Sequence, residues 1–118
     1  MQQIIDAYIA TWNSARDDRQ ALLERHFSAD LSYCDPLSEV GGRGGIDALI
    51  DSTQSQFPDF VFTALGDPDG HHDQVRFRWG LGPEGAEPVI IGFDVIIVDD
   101  HGRIEDVRGF LDRVPASA

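Results

Sequence analysis

The stretch Val89-Ile90-Ile91-Gly92-Phe93-Asp94-Val95-Ile96-Ile97-Val98 carries a single charged side chain, Asp94. A run so rich in β-branched residues is expected to be a strand. Strand alternation then puts Val89, Ile91, Phe93, Val95 and Ile97 on one face, and Ile90, Gly92, Asp94, Ile96 and Val98 on the other. Both faces are apolar, so the strand has to be central in a sheet that is covered on both sides. Asp94 is the anomaly. An unpaired, ionised carboxylate in a packed strand costs several kcal/mol, so it must be paired, solvated by a cavity, or protonated.

Helices are expected upstream of this strand. Ile4, Ile5, Tyr8, Ile9 and Trp12 recur at three- and four-residue spacing, the stripe of a first helix ending near Asn13. Asp17 or Asp18 can cap a second helix running to about Phe27, with Leu22, Leu23 and Phe27 inward. A short strand, Leu31 to Asp35, stops at Pro36, and a loop containing Gly41-Gly42-Arg43-Gly44-Gly45 follows. Ile46, Leu49, Ile50 and Thr53 mark a third helix ending before Phe57-Pro58-Asp59. Strands are then expected over Asp59 to Leu65, Asp73 to Leu81, Pro88 to Val98 and Arg103 to Asp112. The turns between them are Gly66-Asp67-Pro68-Asp69-Gly70, Gly82-Pro83-Glu84-Gly85 and Asp99-Asp100-His101-Gly102. The fold class is α+β, helices first and an antiparallel meander second. Residues 1–114 are expected as one domain and 115–118 as a loose tail. Three helices cover one face of such a sheet, the one carrying Asp94. The Phe93 face then calls for a second copy, so a homodimer is expected through it.

Composition excludes several partners. All nine basic residues are Arg, against 21 acidic ones, and a net charge of −12 repels nucleic acid and anionic membrane. No apolar run approaches the roughly 20 residues of a membrane span. The first residues lack the basic start of an export signal, and Cys34 is the only thiol. A cytoplasmic location is therefore expected.

Three residues stand out as candidate chemistry. Asp94 is either an oxygen-binding acid or the partner of Arg76, Arg78 or Arg108 on a neighbouring strand. Asp35 is either a base at a cavity mouth or an ordinary turn-former before Pro36. Tyr8 is either a donor or a core aromatic. Together, two carboxyls in unlike environments and a buried phenol divide the labour of moving a proton beside a carbonyl. Other motifs carry less. The segment His71-His72-Asp73 falls at a hairpin edge, and adjacent histidines in a strand are expected on opposite faces, so no shared metal is expected there. The Asp67-Pro68-Asp69-Gly70 segment is no calcium loop, and the glycines at 41–45 are no phosphate loop. Cys34 reads as a small hydrophobe, and Phe77 and Trp79 as packing.

The segments Tyr8-Ile9-Ala10-Thr11-Trp12-Asn13, Tyr33-Cys34-Asp35-Pro36-Leu37, Phe93-Asp94, and Gly102-Arg103-Ile104 through Gly109-Phe110-Leu111-Asp112 resemble the NTF2-like superfamily. That group includes ketosteroid isomerases and SnoaL-like polyketide cyclases. The resemblance covers nearly the whole chain and implies a cone, with three N-terminal helices packed on a curved, mainly antiparallel sheet around a pocket. It places Tyr8 as the oxyanion donor, Asp35 as the general base and Asp94 as the protonated acid of the oxyanion hole, as those roles are divided in ketosteroid isomerases. It implies Trp12, Ile50, Phe57, Phe110 and Asp112 as further pocket residues, a small apolar carbonyl-bearing ligand, and neither cofactor nor metal. Ile50 stands where some isomerases have a supporting tyrosine. The alternatives are a cone that only binds a ligand or a protein, and a hydrolase resembling limonene epoxide hydrolases. The latter rely on an arginine two residues before the aspartate, where this chain has Gly92.

Overall fold

The computed structural model describes residues 1–115; of the expected tail, residues 116–118 lie outside the described residues. The elements are α1 (Gln2–Trp12), α2 (Arg16–His26), β1 (Phe27–Asp35), β2 (Ser38–Gly41), α3 (Gly42–Gln56), β3 (Phe60–His71), β4 (Gln74–Pro83), β5 (Ile90–Val98) and β6 (Ile104–Arg113). The six strands form one sheet in the order β2-β1-β6-β5-β4-β3. Pairing is antiparallel except between β1 and β6, which run parallel. The apolar strand β5 is interior, as its two apolar faces require. The helices pack on the face that carries Asp94, and the sheet curves around them without closing.

Only two helices precede the sheet, not three. Pro36 and Leu37 make a tight turn, so β2 folds back on β1 with Asp35 opposite Ser38. The glycines expected as a loop then end β2 and open α3. Arg43 fastens this start, its guanidinium donating to the carbonyls of Phe27 at 2.7 Å and Glu24 at 3.3 Å. Carbonyls at the end of a helix have no intrahelical partner, and here the Arg43 side chain supplies one across the α2–β1 junction. Helix α2 begins after Ala15 with no side-chain cap; Asp17 and Asp18 sit inside its first turn, where they complement the helix dipole.

The segment Gly66 to Gly70 also departs from expectation, because it bends β3 without ending it. A register shift between Leu65 and Asp69 absorbs the extra residues, and the strand continues to His71. The reversal falls instead at His72, whose φ is 55°, and Asp73. Strand alternation fails in a turn, so the two histidines are not on opposite faces: their Nδ1 atoms lie 3.0 Å apart.

The core lies between the helices and the inner face of the sheet. It includes Ile5, Tyr8 and Trp12 of α1, Leu23 of α2, Ile46 and Ile50 of α3, and Phe77, Ile96 and Val107 of the strands. Arg19 is buried with them at 0% exposure. Its guanidinium reaches Asp47 and Asp51 at 3.2 and 3.3 Å, Gln54 at 3.0 Å and the Ser14 carbonyl at 3.4 Å, tying α2 to α3. At the edge strand β3, the Asn13 amide donates to the Phe62 carbonyl at 2.9 Å and accepts from the Phe62 amide at 2.8 Å. No helix among the described residues is long and apolar enough to cross a membrane.

Arg19 has no solvent to retreat into, and its removal takes away the donor to Gln54 Oε1 and the side-chain link from α2 to Asp47 and Asp51 of α3. We expect Arg19→Ala to lower the unfolding free energy by about 3 kcal/mol in chemical denaturation.

Candidate active site

Tyr8, Asp35 and Asp94 line one cavity of about 230 Å³ between α1, α3 and the inner face of the sheet. Each arrives by a local rule. Tyr8 lies on the buried stripe of α1, one turn before Trp12. Asp35 is the last residue of β1, where Pro36 breaks the strand. Asp94 occupies the inner phase of β5, between Gly92 and Ile96, and is 3% exposed.

A backbone without a side chain brings the two carboxyls together. Gly109 on β6 lies opposite Asp94 on one side and beside β1 on the other. A Cβ placed on Gly109 would lie 2.7 Å from Asp94 Oδ1 and 3.3 Å from Asp35 Cβ. Any larger residue there would push into the Asp94 carboxyl.

The surroundings of the three residues differ. Asp35 has both oxygens engaged: Tyr33 donates its hydroxyl to Oδ2 at 2.6 Å, and the Leu37 amide donates to Oδ1 at 2.8 Å. The second bond is the Asx turn anticipated for an Asp-Pro pair; the first orients the carboxylate toward the cavity. Burial pushes Asp94 up to about 6; donors on Trp79 and Tyr8 pull against that rise, and the charge of Asp35 adds to it. Tyr8 is held well above the usual phenol range, by burial first and then by the charge of Asp94, so it keeps its proton. Tyr33 is raised for the same leading reason, with its bond to Asp35 second.

None of the three arginines considered as partners reaches Asp94. Arg76 pairs with Asp69 at 3.4 Å, Arg78 with Asp112 at 3.8 Å and Arg108 with Asp106 at 3.0 Å. All three stand on the outer face of the sheet, because each is one residue out of phase with the inward side chains. Asp94 is therefore buried among neutral groups and one carboxylate, not in an ion pair.

Among the further pocket residues, Trp12 and Phe57 line the cavity. Three others do not. Ile50 is fully buried in the core beside Ile46, and it is Leu49 and Thr53 that reach the cavity wall. Phe110 faces outward at 55% exposure and packs on Phe93 with ring centroids 6.0 Å apart, because Gly109 takes the inward phase. Asp112 shares the outward phase, and Leu111 takes its place at the cavity. Sequence reading missed Tyr33 and Trp79 as cavity residues. Tyr33 was within reach, two residues before Asp35 on the same strand face. Trp79 was not, since its role depends on a register that pairs it with Gly92. That ring also occupies the space an arginine at position 92 would need: a Cβ there would lie 2.1 Å from Trp79 Cζ2. The arginine-dependent hydrolase arrangement has no room in this chain.

Comparison with known proteins agrees with this architecture. The chain is similar to a candidate isomerase of the SnoaL-like family from Agrobacterium tumefaciens strain C58, with 36% identity over 94% of this chain and 96% of that one, and a TM-score of 0.89. This chain belongs to the SnoaL-like family, within the NTF2-like fold. Two more distant structures share the fold. One is a SnoaL-like protein of unknown function from Burkholderia thailandensis, with 17% identity, 93% and 92% coverage and a TM-score of 0.73. The other is a candidate polyketide cyclase from Sinorhizobium meliloti, with 17% identity, 91% and 93% coverage and a TM-score of 0.71. No family profile matches the sequence, and no curated protein matches it.

The raised Asp94 has a signed consequence for stability. Its folded value of about 6 exceeds the unfolded one, so the native state binds the extra proton more tightly, and stability is lost as pH rises from about 4 through about 6. We expect Asp94→Asn to be more stable than wild type at pH 8 by up to about 3 kcal/mol, the equivalent of two pKa units. The difference should vanish below about pH 4 in denaturation curves across pH.

Proposed function

We propose that this chain is an enzyme that moves a proton on the carbon beside a carbonyl of a small, neutral, largely apolar compound. The observation that carries the reading is the meeting of Asp35 and Asp94 across the bare backbone of Gly109, with Tyr8 beside Asp94 in the same cavity. Asp35 takes the proton from the carbon. The carbonyl oxygen, gaining charge, accepts hydrogen bonds from the Tyr8 hydroxyl and from Asp94 in its protonated form. Asp35 then returns the proton, to the same carbon or to another one in conjugation, so the reaction is balanced without a cofactor. Among the described residues no basic side chain lines the cavity, and the net charge of −12 disfavours anions, so a neutral substrate fits best. The mouth has exposed Leu37 and Val114 beside it, which suits an apolar body. We place the activity in the cytoplasm, where Cys34 would stay reduced.

The two hydrogen bonds to Asp35 favour a second reading, in which that residue only shapes the turn and the cavity binds without reacting. Solvent deuterium exchange into a bound cyclic ketone separates the two. Proton transfer requires exchange that is lost in Asp35→Asn, whereas a binding protein gives none beyond the buffer rate.

Affinity for a planar phenol, which mimics an enolate, tests the oxygen site. Tyr8→Phe should weaken binding roughly tenfold or more, as expected for a lost hydrogen bond to a charged group. Asp94→Asn should weaken it less, because an amide still donates. Unchanged affinity in both variants would falsify the oxygen-binding roles.

We also propose that a second copy covers the outer face around Phe93 and Phe110. Ile91, Phe93, Val95 and Ile97 are only half-buried there, and Phe110 is exposed. Sedimentation should give a dimer for wild type and a folded monomer for Phe110→Asp; a monomeric wild type at micromolar concentration rules the dimer out.

A further inference from the structure

Trp79 has no step in the proposed chemistry, yet it is closely fitted to Asp94. It pairs across the sheet with Gly92, and a Cβ on Gly92 would lie 2.3 Å from Trp79 Cε2, the ring carbon bonded to the indole nitrogen. The indole therefore lies directly on bare backbone. Residues 92 and 94 share the inner face, so the ring edge seated on Gly92, which adjoins the indole nitrogen, is on the same side of the sheet as the Asp94 carboxyl, for which Trp79 is a side-chain donor. The Trp79 Nε1 is buried and closes no hydrogen bond of standard geometry among the described residues. Buried donors are rarely left so, and an orphan of this kind calls for an explanation.

The structure assigns Trp79 as a positioning residue for Asp94: seated on Gly92, its indole holds an N–H toward the carboxyl and fixes how that carboxyl faces the cavity. The assignment rests on the proposed function, which gives that orientation its purpose. The groups that face Asp94 are Tyr8 from α1, Tyr33 and Asp35 from β1, and Trp79 from β4. Strand β6 contributes Gly109, which has no side chain, and Arg76, Arg78 and Arg108 lie on the opposite face. An indole N–H can only donate, so Trp79 favours the ionised carboxylate. Its loss raises the pH at which Asp94 takes up a proton.

The test follows Asp94 itself by NMR. In isotopically labelled protein the Asp94 carboxyl carbon, identified by its loss in Asp94→Asn, is titrated from about pH 4 to about pH 8, spanning the ordinary and raised values. The two indole N–H signals, distinguished by Trp12→Phe, are followed in the same samples. The Trp79 N–H should shift with the Asp94 midpoint, near 6, and lose that step in Asp94→Asn. In Trp79→Phe the Asp94 midpoint should rise by about one unit, the scale of one charge-assisted hydrogen bond. A Trp79 signal indifferent to the Asp94 titration, or an unmoved midpoint in Trp79→Phe, overturns the assignment. Should Trp79→Phe not fold, the wild-type indole signal decides alone. A wild-type Asp94 midpoint near 4 removes the neutral donor from the proposed function, while the indole response still decides for or against Trp79.

Discussion

The Asp94 carboxyl has been taken out of water and given no cation in return, and the cavity is organised around that condition. The curved sheet makes it possible by sorting charge with strand alternation. Arg76, Arg78 and Arg108 project outward, each beside its own acid, while the side facing the cavity carries aromatics, aliphatics and the carboxyls of Asp94 and Asp35. An arginine on the inner face would have collapsed the site into an ion pair. Neutral donors instead leave the carboxyl near the point where it gains and loses a proton.

Much of this was legible in the chain. The period-two pattern of residues 89–98 placed Asp94 on the helix side, and the period of α1 placed Tyr8 on its buried stripe. Asp35 was marked by its proline. What escaped was whatever depends on register and on close approach between distant backbones. Nothing in the sequence around Gly109 says that it lies between two carboxyls, since its neighbours come from β1 and β5. The outward turn of Phe110 follows from the same glycine. Likewise, Arg19 reads as one more surface charge on a highly charged helix until α3 supplies Asp47, Asp51 and Gln54. The long β3 was hidden by turn-forming residues whose local preference was absorbed in a bulge.

The contact between Trp79 and Gly92 couples two positions. With the ring lying where a Cβ would stand, position 92 cannot gain a side chain while Trp79 keeps its place. A long side chain at position 92 and this placement of the indole are therefore exclusive arrangements of the cavity wall.

The clasp between Asn13 and Phe62 bears on how copies of the chain can meet. Strand β3 is one end of the sheet, and an open edge invites another strand to add on and keep adding. Here a side-chain amide takes up both backbone groups of Phe62, in the manner of a neighbouring strand one residue long. At the opposite end, β2 has only four residues. The clasp at Phe62 and the shortness of β2 both reduce the unpaired backbone that the ends of the sheet present, and so discourage the edge-to-edge addition of further strands.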